Sequence, residues 1–191
     1  MKNLLFSILL WWLTIFPCLS QDKVEVEVRV RKEMVPQNAI EQVNYLFEKG
    51  IKNLKWYQET TGDKISFEAK FKFDRQFYSV EFDTLGRLED IEIEISIDQI
   101  PDESRKNLTA YLEGEFQEYT IFKIQRQLTG EIESLKKYLE RDSDKEVTIH
   151  YEIVLAGKAE EWDAWELLAD SQGRFISIQK VLLKRFDNLI F

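Results

Sequence analysis

The sequence predicts an α+β protein in which one unit, a helix packed on an antiparallel sheet of about four strands, is used twice in tandem, the two sheets either separate or run together into one. Three observations carry this. Phe82-Asp83-Thr84-Leu85-Gly86-Arg87-Leu88 has a second version in Ala169-Asp170-Ser171-Gln172-Gly173-Arg174-Phe175, and both read as hairpin turns: an apolar strand end, an Asp to bond its own turn, a Gly for positive φ, and a new strand. Apolar and polar residues alternate through several ten-residue stretches, the signature of strands with one dry and one wet face. Val35-Pro36 and Ile100-Pro101 each open an amphipathic run, and Pro suits the first turn of a helix.

The similarity extends outward from the two turns. Ser66 to Phe71 matches His150 to Leu155, Trp56 to Thr61-Gly62 matches Ile124 to Thr129-Gly130, and Val35-Pro36 matches Ile100-Pro101. The second copy is longer, mostly between Gly130 and Tyr151, and its insertions fall at loops or helix ends, where they are tolerated. The sequence therefore divides into a leader over 1–20, a first unit over 21–98 with an added N-terminal strand, and a second unit over 99–191 with a helical insertion near 131–141.

In chain order, residues 1–20 hold one early charge, Lys2, an apolar run from Leu4 through Phe16, and small residues at Cys18 and Ser20. This is the pattern of a secretory signal peptide cleaved after Ser20, and the run is short of the ~20 residues a membrane span needs. Acylation at Cys18 is the alternative, and Pro17 directly before it fits that poorly. The mature protein is expected in the periplasm or outside the cell. Cys18 is the single cysteine, so the exported chain has no disulfide and depends on its core. The full sequence carries a net charge of −9, which argues against nucleic acid and anionic membrane surfaces as partners.

Val24 to Arg31 alternates β-branched and charged residues and predicts a strand. After Pro36, the residues Ala39, Ile40, Val43, Leu46 and Phe47 recur at helical spacing, with Gly50 as the cap. Strands are expected over 54–59, 65–73, 77–83 and 88–97. In the second copy a helix runs from Pro101 to about Phe116, then come a strand over 119–128, a short amphipathic surface helix carrying Ile132, Leu135, Tyr138 and Leu139, and strands over 147–155, 165–170 and 175–183. Val181-Leu182-Leu183 breaks the last alternation and predicts a bulge.

With these residues laid out, the chain resembles the PepSY-like family related to β-lactamase-inhibitor proteins of bacterial envelopes. The resemblance rests on the Val/Ile-Pro helix start, Lys55-Trp56, Phe67-Glu68-Ala69-Lys70-Phe71, and Tyr78-Ser79-Val80-Glu81-Phe82-Asp83 with Gly86. It implies exported tandem helix-and-sheet units with no catalytic residues. Inhibitor relatives bind a target enzyme through a concave sheet surface, although their disulfides have no counterpart here.

Chemistry is sparse. His150 is the single histidine, alternation puts it on a wet face, and no Ser stands in a Gly-x-Ser-x-Gly elbow. Carboxylates spaced by two, such as Glu25/Glu27 and Glu92/Glu94, read as the wet faces of strands, and no calcium loop motif is present. No cofactor, metal or catalysis is therefore expected. Among the aromatics, Trp56, Tyr78, Phe82 and Trp165 fall on apolar faces, whereas Tyr57 and Phe77 fall on the opposite face and Trp162 in a hairpin loop over 157–164. The reading is a non-catalytic module that binds an envelope or secreted protein, with Tyr57, Phe77, His150 and Trp162 as candidate contacts. The alternatives are a small-molecule carrier or sensor with a pocket between helices and sheet, and a hydrolase using surface carboxylates.

Overall fold

A computed structural model describes residues 25–142 and 146–181. The leader over 1–20, Val24, and Leu182-Leu183 lie outside the described residues. Nine strands follow one another in space as in sequence: β1(Glu25–Val30), β2(Lys52–Thr61), β3(Lys64–Phe73), β4(Gln76–Phe82), β5(Leu88–Glu94), β6(Glu118–Thr129), β7(Thr148–Lys158), β8(Trp162–Asp170) and β9(Phe175–Lys180). All neighbouring pairs are antiparallel. Helices α1(Gln37–Phe47), α2(Asp102–Glu115) and α3(Ile132–Leu139) complete the fold.

This corrects the expected fold class. The described residues do not form two helix-on-four-strand units; they build one nine-stranded sheet with three α-helices. The decisive contact is the pairing of β5 with β6, Ile91 opposite Leu128 and Glu94 opposite Gln125. The physical reason is the cost of a bare strand edge: β5 and β6 each have a side of unpaired N–H and C=O groups, and joining them satisfies both. Ile91 and Leu128 are fully buried, so the seam is also core.

The helices cover one face, here called the helix face. Ala39, Ile40, Val43, Leu46 and Phe47 of α1, Leu108 and Leu112 of α2 and Leu135 of α3 share one core with Trp56, Phe71, Val80, Phe82, Ile93, Ile124, Ile153, Leu155 and Leu167 from the sheet. Leu135 of α3 is fully buried in this core, while Glu133 and Lys137 on the other face of the helix are exposed. Each such large side chain contributes roughly 1.5–3 kcal/mol of transfer free energy. Phe47 sets edge-on to Phe71, Phe73 and Tyr78, with centroids 4.8, 5.2 and 5.3 Å away.

Pro36 and Pro101 stand immediately before α1 and α2, and each helix start docks on a hairpin turn. Asn38 and Gln42 donate side-chain hydrogen bonds to the Gly86 carbonyl, at 2.8 and 2.6 Å. Ser104 and Asn107 donate likewise to Ser171 and Gln172, at 2.8 and 2.9 Å. The helix layer is thereby fixed to one side of the sheet, and the other side stays open.

Candidate functional site

Period-two alternation sends every second residue of β2 to β7 to the open face, and the register assembles them into rows across the strands. One row runs Arg29, Tyr57, Glu68, Glu81, Asp90. Its neighbour runs Lys55, Lys70, Ser79, Glu92, Gln127, His150, Asp170. Beside that, Lys72 faces Phe77 and Gln125 faces Glu152.

These polar residues are unusually sequestered. Glu68 is 3% exposed, and Glu59, Glu92 and Gln125 are each 6% exposed, although no described helix covers them. Such burial requires partners. Lys70 Nζ lies 2.7 Å from Glu27 and 3.0 Å from Glu68, and the Ser79 hydroxyl donates to the other oxygen of Glu68. Burial alone would lower the Lys70 pKa, but the charges of Glu68 and Glu27 outweigh it and leave it raised. Gln125 donates to Glu92 at 2.5 Å and Gln127 to Asp90 at 3.1 Å. Burial first, and then the charges of Glu89 and Glu68, push the Asp90 carboxyl up to about 7. Glu92 is raised well above the usual range by burial, then by Glu152, Asp90 and Glu81.

Two carboxylate groups, Glu27/Glu59/Glu68 and Glu81/Asp90/Glu92, bring ligand oxygens within 4.8 Å of one another, close enough to share a cation. In the first, the Lys70 ammonium already supplies the positive charge.

Next to this network the face opens into a pocket of about 160 Å³. Tyr57, Phe77 and Phe122 wall it, and Lys55, Lys70, Lys72, Lys123 and Glu94 line it with Ser79 and Gln125. Lys72 Nζ lies 5.0 Å from the Phe77 ring centre and Lys70 Nζ 5.3 Å from that of Tyr57, within the range where an aromatic face attracts a cation.

The structure thus brings two of the four sequence candidates together: Tyr57 and Phe77 share this pocket. His150 is elsewhere on the open face, half-buried on β7, directly across from Gln127 and Asp170. Trp162 is 51% exposed but is not in a loop; it begins β8 opposite Lys158, because the β7–β8 hairpin zips to a three-residue connection. Sequence reasoning missed Phe122 and Lys123. Their signal was Ile121-Phe122, two adjacent large apolar residues that mark the slip in register between Ile121 and Lys123. On the helix side, a cleft between α3 and the strand ends is lined by Phe73, Tyr78, Ile93 and Leu139 together with Asp74, Arg126, Arg141 and Asp142.

No family model and no curated protein matches this sequence. Among solved structures, the chain is similar to a DUF2874 family protein from Bacteroides ovatus ATCC 8483, at 13% identity and a TM-score of 0.53, over 80% of this chain and 92% of that one. The two share a fold. A BLIP-like protein from Bacteroides fragilis NCTC 9343 matches at 15% identity and a TM-score of 0.48, over 76% of this chain and 86% of that one, a likeness too low to argue from. Among the described residues, no helix is long and apolar enough to cross a membrane.

Proposed function

We propose that this is an exported, non-catalytic module that binds another protein through the open face of its sheet, with Tyr57 and Phe77 as anchors. One observation supports the reading above the rest: the open face holds a buried, internally bonded polar platform beside a pocket with aromatic walls. Burying Glu68, Glu92 and Gln125 costs desolvation, and a platform rigid before contact loses less entropy when a partner docks. The sequence resemblance to inhibitor-like proteins is consistent with an envelope enzyme as that partner, by analogy of fold. His150 and Trp162, on the same side of their strands, stand at the periphery.

The test is affinity capture from the native envelope with wild type, Tyr57→Ala, Phe77→Ala and Trp162→Ala in parallel. Loss of a central aromatic anchor costs about 2 kcal/mol or more, so the first two variants should lose the captured partner while Trp162→Ala retains most of it. Capture of the same proteins by wild type, Tyr57→Ala and Phe77→Ala alike would show that this face is not the site.

A further inference from the structure

The pocket beside Phe77 is opposite in charge to the chain as a whole. The full sequence has 26 Lys and Arg against 35 Asp and Glu, yet this concavity gathers Lys55, Lys70, Lys72 and Lys123 around a single carboxylate, Glu94. Lys70 is engaged by Glu27 and Glu68, and the charges the pocket turns toward a guest are those of Lys72 and Lys123. Its volume, about 160 Å³, is close to that of a cavity that takes one benzene ring, enough for a single side chain. Tyr57, Phe77 and Phe122 offer apolar walls to the stem of such a group, and Lys72 and Lys123 a pair of donors to its head.

We infer that this pocket receives a carboxylate carried on an apolar stem, and that its source is an acidic side chain of the protein partner. The inference rests on the reading of the open face as a protein-binding surface and specifies what enters it. Charge complementarity sets the direction: neighbouring ammonium groups backed by aromatic walls favour an anion through charge-assisted hydrogen bonds. Glu81, one row from Ser79, repels a second anion and favours basic groups flanking the inserted acid. A partner segment with an isolated acid among basic residues fits this surface, and a uniformly acidic one does not.

The experiment uses benzoate as the probe on the full-length mature chain, followed by amide chemical shifts in solution NMR, with benzamide and inorganic phosphate as comparisons. Benzoate should bind saturably and shift the amides of Phe77, Ser79 and Lys123, while benzamide, which keeps the ring and loses the charge, binds at least tenfold more weakly. Lys72→Ala and Lys123→Ala should each weaken benzoate several-fold, with Lys72→Arg retaining most of the affinity and all variants keeping the wild-type spectrum elsewhere. Equal binding of benzamide would reduce the pocket to an apolar slot, and phosphate binding as tightly as benzoate would reduce it to an unspecific cationic patch. Either result, or no saturable shift at these residues, overturns the inference while leaving the capture experiment to judge the protein-binding reading. Release of captured partner by benzoate supports a partner's side chain as the source, and benzoate that binds without releasing it contradicts that source.

Discussion

At the scale of the residue, the open face is held by pairs that depend on each other. Lys70 neutralises Glu68, whose carboxylate is almost wholly buried, so Lys70→Ala should destabilise the fold by about 2–3 kcal/mol by leaving that charge unpaired. Adding Glu68→Gln should recover part of the loss, measurable as a coupling in urea denaturation of the two single variants and the double one. Asp90 gives the face a pH dependence. Its pKa rises from the ordinary carboxylate value to about 7 on folding, so between roughly pH 4 and 7 the folded chain holds a proton that the unfolded chain has released. That contribution is complete below pH 4 and is lost as the pH rises through 7. The urea midpoint should therefore fall between pH 5.5 and pH 8, and Asp90→Asn should flatten the fall; a wild-type midpoint that rises over this window contradicts the assignment. The sequence made the side of Tyr57 and Phe77 readable, since alternation alone decides it. Alternation along β3 also put Glu68, Lys70 and Lys72 on that side; it did not reveal that Lys55 and Lys123 join them or that Glu68 and Glu92 are buried, because those meetings depend on cross-strand register.

At the scale of the element, the two Asp-x-x-Gly-Arg turns are built alike. Asp83 and Asp170 each accept backbone N–H bonds from the residues two and four places on and pair with the Arg side chain that follows. At Asp83 the Arg87 N–H is the main cause of a lowered pKa; at Asp170 burial opposes the shift and the bonds to Arg174 and Gln172 outweigh it. Gly86 and Gly173 have φ of +73° and +72°, and a Cβ at Gly86 would lie 2.8 Å from the Ala39 backbone nitrogen. A Cβ at Gly173 would overlap the Ser104 carbonyl outright. Gly86→Ala and Gly173→Ala should each cost about 1–3 kcal/mol for the backbone alone, with the clash making Gly173→Ala the worse; equal, small shifts in melting temperature would contradict this docking. Turns, proline-started helices and most strands were legible because each is written in local chemistry. The continuity of the sheet was not, because alternation tells which face a residue takes and says nothing of which edge a strand joins, and so the pairing of β5 with β6 stayed open.

At the scale of the whole molecule, one core runs beneath all three helices and crosses the β5–β6 seam through Ile91 and Leu128. Unfolding should accordingly be a single transition, with far-ultraviolet circular dichroism and tryptophan fluorescence coinciding in urea; two resolved transitions would mean that the two halves of the sheet fold independently. That unbroken sheet presents one side to the helices and keeps the other open, and the central claim is that the open side meets a partner. The most direct measurement places a photo-crosslinking residue at Phe77 and, in a second protein, at Glu41 on the outer surface of α1, and illuminates each in the native envelope. Adducts with a defined protein from position 77 and none from position 41 are the expected result; adducts from position 41 alone, or from neither position, would contradict it.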